Sequence, residues 1–187
     1  NFSGSVPGTI YEWSNSNTAI NLVASNSGNI PSFTTTNNTP NAIVSTITVT
    51  PKFTFNGILC TGTPQTFTIT VNPIPTINTV NSFALCHGAT SSAINFTSSF
   101  GVPNTIYTWA NANTGIGLGS GSTGNIPSFS ATNALSAPIS SVISVTPSAA
   151  NAGLTCQGTP MNFTITVNPI PTVGLVASQV VCNNSNT

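Results

Sequence analysis

Between Thr66 and Val71 the chain alternates hydroxyl and apolar side chains, and Ser45 to Thr50 does the same. A period of two sends successive side chains to opposite faces of an extended backbone, so these segments predict strands with one face on a core and one in water. Ile10 to Trp13 and Ile106 to Trp109 follow the same pattern. Turn formers separate the runs, among them Ser27-Gly28-Asn29, Asn56-Gly57 and Thr63-Pro64. No stretch carries an apolar stripe at the 3.6-residue spacing of a helix. The pattern predicts an all-β chain, with Trp13, Trp109, Phe67 and Phe163 in the cores of β-sandwiches.

The pattern also repeats. Val6 to Ser91 aligns with Val102 to Thr187 at a constant offset of 96 residues, with 43 of 86 pairs identical. Phe67 to Thr76 recurs unchanged as Phe163 to Thr172, and Gly28 to Phe33 recurs as Gly124 to Phe129. A fixed period marks an array. This one is far longer than a solenoid unit and close to the size of an immunoglobulin-like domain, so each copy is expected to be a sandwich of about seven short strands with its own core. The expected modules are residues 1–75, a first sandwich lacking its opening strand; 76–171, a complete second; and 172–187, the opening strand of a following one.

Charge is almost absent. The 187 residues hold one cation, Lys52, one anion, Glu12, and one histidine, His87, while Ser, Thr and Asn make up about two-fifths of the chain. Nucleic-acid binding is excluded as a class, because it needs several Lys or Arg against phosphates. A polybasic membrane patch fails for the same reason, and the apolar runs are too short for a spanning helix. No partner is steered by charge.

After the last strand of each copy comes Asn-Pro-Ile-Pro-Thr, with Pro73 and Pro75 in the first and Pro169 and Pro171 in the second. Alternate prolines fix φ and favour an extended path, so these linkers are expected to hold modules end to end as a rod, rising about 35–45 Å per module.

The four cysteines, Cys60, Cys86, Cys156 and Cys182, fall in two pairs 96 apart and form no metal-ligand cluster. Their even number favours structural disulfides in an oxidising compartment. In an immunoglobulin-like sandwich the first strand begins at the pole that holds the hairpin before the last strand. With Cys86 placed at the start of that first strand, Cys86 and Cys156 should pair within module two, closing a loop worth roughly 4 kcal/mol. The rival pairing, Cys60 to Cys86 and Cys156 to Cys182, would join opposite poles. Cys60 and Cys182 are then expected to pair with adjacent modules, the tail of one copy reaching Cys60 of the next. Two accounts fit the offset halves: a window of a longer array, or strand addition between copies.

Several motifs together carry a resemblance: Tyr-x-Trp (Tyr11, Trp13; Tyr107, Trp109), Gly-Asn-Ile-Pro-Ser-Phe, Val-Thr-Pro, Cys-x-Gly-Thr-Pro (Cys60 to Pro64; Cys156 to Pro160), Phe-Thr-Ile-Thr-Val-Asn-Pro and Val-Cys-Asn (Val181 to Asn183). Over the whole chain this resembles the PKD-like repeats of giant surface proteins of gliding bacteria, exported by the type IX secretion system. The resemblance implies an extracellular, cell-surface location and a place in a long adhesin or filament. It departs from related secreted proteins in having no aspartate for calcium or sugar attachment, and His87 stands where the second copy has Asn183, a surface-loop difference read as neutral.

Catalysis fails on inventory. One carboxylate cannot form an acid/base pair, and a Ser-His-Asp triad lacks its Asp. Glu12 is expected to be solvated, no metal or other cofactor is expected, and sequons such as Asn95-Phe-Thr lie in strand segments where no glycan is expected. Two function classes remain: a stiff shaft whose partners are copies of the same module, and a module binding surface glycans through Tyr11 or Tyr107. The loops Val23 to Ser27 and Lys52 to Asn56 differ entirely from Gly119 to Thr123 and Ser148 to Ala152 while strands and linkers match. That distribution favours the shaft, since a shared pocket would keep its loops.

Overall fold

The structure, a computed structural model, describes residues 1–183; the last four residues of the expected opening strand 172–187 lie outside them. Among the described residues the chain is all β apart from two 3-10 turns, Thr18–Ile20 and Thr114–Ile116. Its first sheet contains β1 (Ile10–Asn15), β2 (Ser25–Ser27), β3 (Ile43–Phe55), β4 (Ile58–Thr61) and β5 (Gln65–Val71). The second contains β6 (Phe83–Cys86), β7 (Ile106–Asn111), β8 (Gly121–Thr123), β9 (Ile139–Asn151), β10 (Leu154–Gln157) and β11 (Met161–Asn168).

Register repeats with sequence. Trp13 lies opposite Val49 and Trp109 opposite Val145; Ile43 lies opposite Val71 and Ile139 opposite Val167. Each thirteen-residue central strand, β3 or β9, pairs along one edge with the tryptophan strand and along the other with two strands in succession. The Ser/Thr alternation makes this possible by turning Ile47 and Val49, or Ile143 and Val145, to the same buried face.

Each sheet has its own core. Trp13, Ile20, Leu22, Ile47 and Val49 form one cluster; Trp109, Ile116, Leu118, Ile143, Val145, Phe163, Ile165 and Val167 belong to the other. In the second half the core has a further cover, where residues 88–94 run against 126–131 through the bridges Thr90 to Ser130 and Ile94 to Ile126. The Asn1-Phe2 start repeats Asn95-Phe96 at an offset of 94, not 96. Phe2 N–H donates to Asn29 Oδ1 as Phe96 N–H does to Asn125 Oδ1, and Phe2 packs on Tyr11 at 5.8 Å as Phe96 does on Tyr107 at 5.6 Å.

The halves differ at one edge. β6 runs parallel to β11, Phe83 opposite Ile165 and Cys86 opposite Asn168. Among the described residues nothing pairs with the corresponding edge of β5. Phe67, expected in a core, is therefore 42% exposed, whereas its counterpart Phe163 is 3% exposed. The sheets hold five and six strands among the described residues, and in the second half the covering segment adds the isolated bridges Thr90 to Ser130 and Ile94 to Ile126 and no continuous ladder.

Candidate functional site

A cleft of about 700 Å³ opens on the first half, lined by Phe2, Tyr11, Val49, Phe53, Gly62 and Phe67 among others. Its position follows from the strands: Tyr11 lies opposite Pro51 between β1 and β3, and Gly62 N–H is bonded to the Pro51 carbonyl at 2.9 Å. Apolar surface predominates on these walls, although Lys52, Thr61 and Gln65 also line them, and among the described residues no group of three His, Cys, Asp or Glu could hold a metal ion. The cleft suits an apolar chain, not a charged small molecule.

The second half shows what fits such a space. Pro75 is fully buried there, and Ile77 and Val80 pack on the core. The Pro75 carbonyl lies so close to Gly158 that an added Cβ would stand 1.9 Å from its oxygen. Asn78 N–H then donates to the Thr97 carbonyl at 2.8 Å, and Thr164 N–H donates to Ser82 Oγ at 2.9 Å before β6 begins. Gly62, the counterpart of Gly158, has no second segment beside it, its near neighbours all belonging to Pro51.

The join between the halves is fastened. Asn72 Nδ2 donates to the Asn151 carbonyl at 3.0 Å, and Asn151 Nδ2 donates to Asn72 Oδ1 at 3.0 Å. Pro73 and Pro75 are buried; Pro169 is half-buried and Pro171 exposed. The first linker is thus gripped by the β9–β10 hairpin, and the second is ungripped among the described residues. Beyond it Val173, Leu175, Val176 and Val180 stand open, each at least 86% exposed.

The cysteine expectations need correction. Cys60, Cys86 and Cys182 are exposed free thiols, and Cys156 is a half-buried one. Cys86 is level with the last residue of β11, while Cys156 lies opposite Ala149, four residues past the partner of Met161 at the other end of β11. That separation is on the order of 30 Å at about 3.3 Å per residue, far beyond a disulfide. The poles are as the sequence suggested, since Pro75 enters beside Gly158; Cys86, however, comes eleven residues later, after the chain has crossed the sheet edge. By the same geometry a tail strand on β5 would bring its Cys182 level with Asn72, away from Cys60.

The residues that sequence reasoning passed over form a buried polar knot in each half. Asn15 Nδ2 donates to the Leu22 carbonyl at 2.7 Å, and its Oδ1 accepts from Asn17 N–H and Ser45 Oγ. Asn111 makes the same bonds to Leu118, Asn113 and Ser141. Each knot ties the 3-10 turn to the central strand, and the signal available was identity at the 96-residue offset. The indole N–H groups of Trp13 and Trp109 are buried without a partner in both copies. Glu12 is paired with Lys52 at 2.5 Å on the surface, a contact of little energetic weight. His87, whose difference from Asn183 was expected to be without consequence, accepts from Asn133 N–H at 2.9 Å through Nδ1 and so steadies the turn before β9. Burial pushes the Tyr107 phenol above its ordinary pKa.

No protein-family model matches the chain, and no curated protein matches it. No described helix is long and apolar enough to cross a membrane.

Proposed function

We propose that this chain is a stretch of the shaft of an extracellular surface filament or giant adhesin, built from immunoglobulin-like sandwiches of the PKD-like kind in tandem. The observation that carries this reading is the join. Asn72 and Asn151 clasp each other beside two buried prolines, so a linker of only a few residues is held against the next unit instead of swinging. The repeated cores and knots beside divergent loops support the same reading, since a spacer needs its core and its joins alone. Export by the type IX system belongs to the same proposal and rests on the motif resemblance.

The glycan-binding alternative is weaker. The cleft that holds Tyr11 is filled in the other half by Pro75, Ile77 and Val80, so it is no shared pocket.

Small-angle scattering of the purified chain tests the shaft. An elongated particle with two separated centres of mass is expected, and replacing Pro73 and Pro75 with Gly should broaden its distance distribution. A single compact particle would rule the reading out.

A further inference from the structure

We propose that the cleft and the free edge of β5 receive residues 171–183 of a second copy, laid parallel to β5 in the register that β6 takes on β11. This rests on the shaft reading and names its partner segment. The 96-residue offset supplies the fit position by position. Pro171 corresponds to Pro75 and comes to Gly62; Val173 and Val176 correspond to Ile77 and Val80 and enter the cleft beside Phe67 and Tyr11. Ser178 corresponds to Ser82, whose Oγ accepts from Thr164 N–H, so it meets Thr68 N–H. Val180 falls opposite Thr70 because Ala84 falls opposite Thr166, and Val181 turns inward as Leu85 does.

Both surfaces are apolar and open in the single chain. Val173, Val176 and Val180 are 86% exposed or more, and Phe67 is 42% exposed. Exposed strand edges and apolar strands are liabilities that pairing removes. The match is weaker than the internal one at two places. Gln179 replaces Phe83, which packs on the core, and Gly174 replaces Asn78, whose side chain bonds Thr97 Oγ1 and Ser99 N–H. The donor strand is accordingly exchangeable, while its intrachain counterpart is fixed.

The test uses the full chain with its four cysteines replaced by Ser and a new pair, Thr70→Cys with Val180→Cys. Under an added thiol oxidant such as copper phenanthroline with dioxygen, each pair of thiols loses two protons and two electrons to form one disulfide. A ladder of disulfide-linked dimers and larger species is expected. Moving the second thiol by one residue, Thr70→Cys with Val181→Cys, sends it to the opposite face and should cut the yield at least tenfold. Gly62→Ala added to the first pair should abolish the ladder, because its Cβ would collide with the incoming Pro171 carbonyl as at Gly158; that Cβ also stands 2.8 Å from the Pro51 ring of its own chain, so the circular dichroism of the monomer is recorded alongside to show that it still folds. No ladder, equal ladders from both pairs, or a bridge that migrates as monomer would overturn the proposal. A chain that gives no ladder yet scatters as an elongated two-centred particle loses the docking and keeps the shaft; a compact particle loses the shaft.

Discussion

Asn72 and Asn151 form a reciprocal pair, each side-chain amide donating to the other residue at 3.0 Å. One residue directly follows the last strand of the first sheet; the other ends β9 at the hairpin that embraces the linker. Alanine at Asn72 removes both bonds, whereas alanine at Asn151 removes only the one its side chain donates, since the other ends on the Asn151 backbone carbonyl. Each substitution should cost about 0.5–1.5 kcal/mol in the unfolding of the second half, and the double substitution little more than Asn72→Ala alone. Denaturant unfolding of the four variants in a double-mutant cycle measures this; strict additivity would show that the pair does not couple the halves.

The aromatic pair Phe67 and Phe163 should respond unequally to the same change. Phe163→Ala opens a cavity in a closed core and is expected to cost about 3–5 kcal/mol. Phe67→Ala removes a ring already 42% exposed, so the cost in the monomer should stay nearer ~1 kcal/mol. Equal losses by chemical denaturation would mean that β5 is covered in solution.

Ala152 sits at φ 50° in the β9–β10 turn, where the first half has Asn56 at φ 49°. An ordinary L residue is strained there by its Cβ, and asparagine tolerates the region better. Ala152→Asn should raise stability by roughly 0.5–1 kcal/mol, while Asn56→Ala should lower it by a similar amount. Thermal melts of both variants decide it, and a fall with Ala152→Asn would contradict the argument.

Tyr107 sets an alkaline limit. Burial raises its phenol above 10.0 in the folded state, so the native chain holds that proton more tightly than the unfolded one. The contribution is present in full below pH 10 and is lost as the pH climbs past that value. In a background with the cysteines replaced by serine, the melting temperature should fall more steeply above pH 10 than in Tyr107→Phe, which keeps the ring against Phe96. Identical slopes would remove Tyr107 from the account.

Strands whose two faces differ were legible because the alternation is a direct imprint of burial: Ser45 to Thr50 and Thr66 to Val71 lie in β3 and β5. The 96-residue offset likewise carried over to the register of Trp13 and Trp109. The path of residues 75–86 was not legible. Its apolar residues, Pro75, Ile77, Val80, Phe83 and Leu85, keep no single period, alternating only over Phe83 and Leu85, because the segment fills a cleft before it joins an edge. Misplacing Cys86 along that path by the length of a strand was enough to misassign the disulfide. The knots of Asn15 with Ser45 and of Asn111 with Ser141 were hidden for another reason: polar residues in a Ser/Thr/Asn-rich chain give no sign of which are buried.

The parallel run of β6 beside β11 has a mechanical meaning. The chain enters the second half beside Gly158 and leaves it after Asn168, at opposite ends of this strand pair. Tension between those points pulls the two strands past each other along their length, so the hydrogen bonds between them lie across the pull and must break together, not one after another. Such a unit yields abruptly at a high force, and a strand docked on β5 in the same sense would hand the load from one molecule to the next through shear of the same kind.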